Sequence, residues 1–408
     1  MLELMEKGVD IPNPFSIDIG DEINPDRISS DGVRIYPGVR IYGAKTLISK
    51  GTKLGYEAPT TVDDCQLGPH VELKGGFFKS SVFLEKANVA SGAQVREGCI
   101  LEEEANANHS VGLKQTILFP FVTLGSLINF CDCLMAGGTS RKNHSEVGSS
   151  YIHFNYTPHQ DKATPSLIGD VPRGVMLNQP PIFLGGQGGL VGPVRMGYGT
   201  VIAAGTICRR DCTDMGKLIA EKEAAACEDF HTGFYGNIKR RVCNNIYYLA
   251  NLLALKQWYF HIRQPIFQVQ DMGSELYDGA MDKLEIAVEE RLKRFKMLSE
   301  KMEMSIGTCT NVLRKKAKEG LLKQKKEFSK NWPKLESTFT EGSEKTVDLK
   351  NREKFIRIIH DRIRGNNDYI KVIQGLDGYA SALGTAWLQN IVDHITGAAL
   401  DNLPSFRY

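Results

Sequence analysis

At 408 residues and 42% apolar content the chain has room for two or three domains with real cores, and its formal net charge of +2 makes no whole-protein electrostatic case for nucleic acid or a membrane surface. No run of about eighteen apolar residues occurs, and the opening MLELMEKGVDIPNPF lacks a basic stretch followed by an apolar one, so a soluble cytoplasmic protein is expected. The nine cysteines are odd in number and irregularly spaced, which argues against a disulfide framework.

Residues 1–30 carry Pro12, Pro14 and Pro25 among polar residues and read as an extended cap. From 31 to 212 a different rhythm holds. Phe77, Phe83, Val89, Val95 and Leu101 fall six apart, each followed four residues later by a small one: Ser81, Ala87, Ala93, Cys99 and Ala105. A helix repeats near 3.6 and a half-buried strand at 2, so a sustained period of six predicts the short flat sides of a β-helix coil. The rhythm returns through Leu184, Leu190, Met196, Ile202 and Cys208, and runs more weakly through Ile35, Ile41 and Leu47. Between 126 and 181 it breaks into an irregular insertion dense in His, Asn, Lys and Gly, the place where a repetitive scaffold usually carries function.

Two motifs are assigned to this coil. The cysteine pair Cys131 and Cys133 has no matching second pair, so no metal site is expected; Cys99 and Cys208 sit at repeat positions as small hydrophobes. The glycines of GGQGGLVGPV keep step with the coil corners and lack the Lys-Ser/Thr of a phosphate-binding loop. Residues 213–408 lose the hexads, and NNIYYLANLLALKQWYFHI and DKLEIAVEERLKRFKMLSEKM read as long amphipathic helices of an all-α domain. The basic run at 313–336 is read as a solvated helix face, with an anionic partner as the alternative. The apolar tail GYASALGTAWLQNIVDHITGAAL reads as a closely packed helix.

The segments VREGCILEEEANANHSVGLK, NYTPHQDKATPSLIGD and IFLGGQGGLVGPVRMGYGTVIAAGTICRRD together resemble the acetyltransferase half of the bifunctional bacterial N-acetylglucosamine-1-phosphate uridyltransferase / glucosamine-1-phosphate acetyltransferase family. The resemblance spans about residues 90–211 and implies a left-handed parallel β-helix, a homotrimer with sites between neighbouring coils, and an acyl-CoA co-substrate such as acetyl-CoA. The family's nucleotidyltransferase domain, with its Gly-rich loop, has no counterpart here. The resemblance implies that Arg96 and Lys114 hold the phosphate of a phosphosugar or nucleotide sugar, that Asn155 and Tyr156 line the sugar, and that Ser149, Gly186 and Ala204 meet the acyl donor. Arg as a fork and Lys as a point charge make a sound phosphate pair.

Departures accompany the matches. Ser126 stands where the family has its catalytic histidine, Asn129 where it has a tyrosine and Glu146 where it has an asparagine. A serine hydroxyl cannot take an amine proton near neutral pH as an imidazole does. Three readings follow. In one, a histidine of the irregular segment replaces the base, with His153 preferred, because strand alternation puts it on the face of Asn155, and His144 second; His159 is the third of the group. In another, the chain binds a phosphosugar or nucleotide sugar without chemistry. In the last it is a structural trimer.

Overall fold

The structure, a computed structural model, describes every residue except Pro158, Gln160, 221–232, 313–314, 342–347, Gly365, Asn367 and Tyr408, and the side chains of 309–318. Parallel strands of two to seven residues wind into a left-handed β-helix of three faces. The first face climbs through Asp18, Arg40, Thr61, Phe77, Gln94, Gly112, Asn129, Ile152, Gly189 and Ile207. The second runs through Leu47, Gln66, Val82, Ile100, Ile117, Leu134, Leu167 and Arg195, and the third through Arg34, Lys53, Glu72, Asn88, Asn106, Thr123, Glu146, Phe183, Val201 and Leu218. Pairings begin with Asp10 against Arg34 and end at Leu218–Ile219, and the strands at 129–135, 146–147, 152–154 and 166–168 keep the coil regular through much of the segment 126–181.

The hexads have a local cause. Ser80, Lys86, Gly92, Gly98 and Glu104 each take a left-handed backbone, six residues apart, and each turns the chain through a corner. The next residue, one of Ser81, Ala87, Ala93, Cys99 and Ala105, is fully buried in the bend, where only a small side chain fits. Two expected inward positions are corrected. Val95 pairs with Phe78, so Phe78 points inward and Phe77 outward, because the corners on either side are each a residue short of the hexad, with inward Leu73, Phe78 and Phe83 in place of a six-residue step. Likewise Ile48, paired with Leu67, is the inward residue and Leu47 its outward neighbour. Leu47 is buried all the same, which is why the sequence pattern misled there.

That burial comes from the helices. They are α1 (Leu2–Lys7), α2 (Val171–Gly174), α3 (Lys239–Trp258), α4 (Gln264–Phe267), α5 (Gly273–Val312), α6 (Lys315–Lys330), α7 (Trp332–Glu341), α8 (Leu349–Ile363), α9 (Tyr369–Gln374) and α10 (Gly378–Asp401). α5 and α3 lie on the second face of the coil, and α10 packs on α3, α8 and α2. The outward residues of that face, Val82, Ile100, Ile117 and Leu134, are therefore buried on both sides. Between coil and helices run buried polar ties: Arg263 to Glu103 at 2.6 Å, Arg291 to Asp132 at 2.7 Å, the Tyr259 hydroxyl to Glu102 at 2.5 Å, and the Asn251 amide oxygen accepting from the Val171 N–H. The two halves share one core. Part of the basic run lies outside the described residues; the described stretch of α6 is mostly exposed or half-buried, with Lys325 turned inward over Phe234. Among the described residues no helix is long and apolar enough to cross a membrane, and no cluster of three His, Cys, Asp or Glu could hold a metal.

Candidate functional site

With the second face covered, the first face is open, and a shallow groove of ≈ 550 Å³ runs across it. Gln94, Arg96, Gly112 and Asn129 form its floor, Ile152 continues it on the next turn, and Ser110 and Leu127 bound it at the corner where the third face turns into the first. The sequence places these side chains locally: Gln94, Gly112 and Asn129 are stacked outward positions of successive turns, and Arg96 follows the strand Ala93–Val95, one turn from Lys114.

Arg96, Lys114 and Cys131 follow one another up the far edge. Lys114 is paired with Glu97. Burial pulls the Glu97 carboxyl upward, but the Lys114 bond and the charges of Lys114 and Arg96 outweigh it and hold it below its ordinary value. Burial and the Asp132 charge raise the Cys131 thiol despite the two cations beside it, so this thiol is not an activated nucleophile.

Of the expected site residues, the structure gathers Arg96 and Asn129 in the groove, with Lys114 on the adjoining turn. Ser126, Ser149, Gly186 and Ala204 form one corner column: the Ser126 N–H donates to the Ser149 hydroxyl at 3.2 Å, and the Ser149 carbonyl accepts from Gln187. A Cβ on Gly186 would stand 2.8 Å from the Ser149 carbonyl oxygen, so glycine is what lets these turns stack. Asn155 donates to Asp132 at 3.2 Å, and Asp132 is held by Arg291 of α5; Tyr156 is exposed beside it. Glu146 lies on the third face, away from the groove.

The histidines fall elsewhere than strand alternation implied. His153 points into the coil, not out of it: Nδ1 lies 2.6 Å from the Cys131 carbonyl, Nε2 2.7 Å from the Ser166 hydroxyl, and the residue is 3% exposed. Burial pushes its pKa down to about 4, which keeps it neutral, and with both nitrogens engaged it has no free lone pair for a substrate. His144 sits in a small hairpin, Gly138–Ser140 against Asn143–His144, at the corner between the second and third faces, with Nδ1 2.8 Å from the Arg141 carbonyl. His159 stacks on Tyr235 under the helices.

One histidine went unweighed in the sequence. His109 lies on the corner column of Ser126, one turn away, since the Leu127 N–H donates to the His109 carbonyl. It adjoins Ser110 of the groove, and its Nε2 stands 3.2 Å from the Glu57 carboxylate. Glu57 also accepts from the Ser91 N–H at 3.0 Å, and Lys74 lies 3.9 Å away. Burial works against the Glu57 charge, but the Ser91 bonds, Lys74 and His109 together bring its pKa below the ordinary value. A fixed carboxylate on Nε2 selects the tautomer that leaves the Nδ1 lone pair free. The only sequence signal was a histidine four residues past a hexad corner position in NANHSVGLK.

No protein-family model matches the chain. Curated proteins named bifunctional protein GlmU are similar to it: that of Thermotoga maritima is 27% identical over 209 residues (51% of this chain, 41% of that protein), that of Pelobacter propionicus 30% over 213 residues (51% and 40%), and that of Carboxydothermus hydrogenoformans 25% over 227 residues (56% and 45%). Among solved structures, a UDP-N-acetylglucosamine acyltransferase from Campylobacter jejuni aligns over 50% of this chain and 68% of its own at 14% identity, with a TM-score of 0.16, too low to weigh. The chain spans about two fifths of the length of the curated relatives it matches, and over half of its own length it is similar to the bifunctional GlmU proteins.

Proposed function

We propose that the first-face groove binds a phosphorylated amino sugar and catalyses acyl transfer to it from acetyl-CoA or another acyl-CoA. The observation that supports this is the Glu57–His109 pair at the groove's corner, which supplies an imidazole one turn from Ser126. Arg96 and Lys114 take the phosphate, and Asn129 meets the sugar. The strand Gly112–Lys114 separates that cationic edge from the His109 corner by on the order of 10 Å, a span for one sugar ring with its phosphate. Nδ1 of His109 accepts the proton of the sugar amine as the N–C bond forms and the thioester C–S bond breaks, and Glu57 stabilises the resulting imidazolium. The small-residue column of Ser149, Gly186 and Ala204 leaves open backbone for an extended thioester arm, which brings the acyl group.

Assembly fits the same reading. With helices on the second face, the first and third remain free, and both carry exposed apolar residues: Leu127, Ile152, Phe154 and Tyr156 on one, Phe183, Val201 and Leu218 on the other. Joining unlike faces around a threefold axis closes a homotrimer.

Release of coenzyme A thiol from acetyl-CoA in the presence of glucosamine-1-phosphate tests the reading. His109→Ala is expected to lower kcat about a hundredfold or more, and His144→Ala to leave it unchanged. If the wild type binds glucosamine-1-phosphate or UDP-N-acetylglucosamine in calorimetry but releases no thiol, the acyltransferase reading fails. The serine at position 126 then favours the second reading, a phosphosugar or nucleotide-sugar binding scaffold.

A further inference from the structure

A second cavity, of ≈ 520 Å³, opens at a different corner, between the second and third faces, where α9, the start of α5 and the Gly138–His144 hairpin close over the coil. Its volume lies in the range of small-molecule sites. Its wall is apolar on one side, with Leu84, Phe121, Phe267 and Leu276 all buried. Its floor holds Glu103, 7% exposed, whose Oε1 is taken by Arg263 while Oε2 has no hydrogen-bond partner. A buried carboxylate oxygen without a donor is costly unless a bound group supplies one.

The mouth sets Lys86, Arg141, Lys142 and Lys371 against as many carboxylates, and two of those cations have no carboxylate bond among the described residues. Of the lining carboxylates, Glu85 is paired with Lys86 at 2.8 Å, Asp368 with Lys371 at 3.0 Å, and Glu103 with Arg263; Glu104 remains, against both Arg141 and Lys142. Arg141 is fixed in place by donating to the carbonyls of Glu104 and Phe121 and to the Thr123 hydroxyl, at 2.8 to 3.0 Å, so its guanidinium is held without a carboxylate bond. Lys142, next to it at the hairpin tip, is exposed and makes no ion pair among the described residues. The hairpin is itself held to α9 by Gln374, which donates to the Thr139 carbonyl at 2.5 Å.

We propose that this cavity is a binding site for an organic phosphate of nucleotide size, with the phosphate on Arg141 and Lys142, a ring against Phe121, Phe267 and Leu276, and a ring amine donating to the orphan Oε2 of Glu103. It is independent of the first-face groove and of any chemistry there. The site joins hairpin, coil corner and helices, so occupancy ties the helical half to the coil.

Calorimetric titration of the full chain with adenosine monophosphate tests it, with inorganic phosphate and adenosine as separate arms. The expected result is that the nucleotide binds about tenfold or more tightly than either fragment, and that Lys142→Glu weakens it about tenfold or more, since a charge-assisted contact becomes a repulsion. The Lys142 side chain makes no hydrogen bond or ion pair among the described residues, so the melting temperature of that variant should be unchanged; Leu276→Met, which perturbs the ring wall with little change of volume, guards against a false loss. Arg96→Ala, in the other groove, should leave binding intact. No binding by the wild type, equal binding of inorganic phosphate alone, or binding that survives Lys142→Glu and disappears in Arg96→Ala would each overturn the proposal.

Discussion

The first and second faces of the coil share a parallel strand ladder and a column of buried inward residues, and differ most in what points outward. On the second face Val82, Ile100, Ile117 and Leu134 lie under α3 and α5 with no exposure above 1%. On the first, Arg40, Gln94 and Asn129 meet solvent and the groove. One face has become interior and the other stays open. The difference teaches that in a solenoid the outward column, not the fold, decides which wall is sealed and which is left open to a ligand.

The largest test of that contrast is a matched pair of substitutions. Ile100→Asp places an unpaired carboxylate under the helices and should cost about 4 kcal/mol or more, whereas Gln94→Asp at the equivalent outward position of the open face should stay within about 0.5 kcal/mol, both read by urea unfolding. Similar costs for the two would mean that the helices do not seal the second face. Next in size, Arg291→Met leaves Asp132 buried without its cation and should cost about 3 kcal/mol or more, with most of it recovered in Arg291→Met/Asp132→Asn. Because Asp132 also holds Asn155, the single variant should loosen that edge of the open face as well.

Smallest, and opposite in sign, are two pH effects. Burial, opposed by the Arg263 charge, raises the Glu102 carboxyl from 4.5 to about 7. Its contribution is fully present below pH 4.5 and is lost as pH rises through 7, because the folded state holds the proton that the unfolded chain releases. His153 does the reverse: its pKa falls from 6.5 to about 4, so its contribution is present above pH 6.5 and is lost as pH falls through 4. Each window is worth on the order of 3 kcal/mol. Between pH 4.5 and 6.5 the two contributions nearly cancel, so Glu102→Gln should uncover a stability that rises with pH and His153→Gln one that falls, and a profile unaltered by both would contradict the buried placement of these groups.

Much of this was legible in advance, for reasons that particular residues make clear. The coil announced itself because each corner needs a small residue after a left-handed one and each side needs one large inward residue, so Phe83, Val89, Val95 and Leu101 recorded the geometry directly. Arg96, Lys114 and Asn129 were reached through the family resemblance, and the stacking of successive turns then puts Arg96 and Asn129 in one groove. Phe77 failed where the flanking corners lost a residue, and Leu47 where a corner gained one and the outward column was buried all the same. His153 failed because alternation fixes that two residues share a face but leaves open which face that is. The pairing of His109 with Glu57 was invisible, since Glu57 lies in a loop that breaks the hexads.

By itself, then, the sequence determined the coil, its left-handed form through the family resemblance, and the helical character of the second half. Those follow from short-range constraints: corner conformation, side-chain size and periodicity. Only the tertiary structure decided which face the helices cover, that His153 is interior, that Glu57 meets His109, and that a cavity lies beneath the 138–144 hairpin. Each of these depends on residues far apart in the chain meeting at distances and degrees of burial that no local pattern encodes.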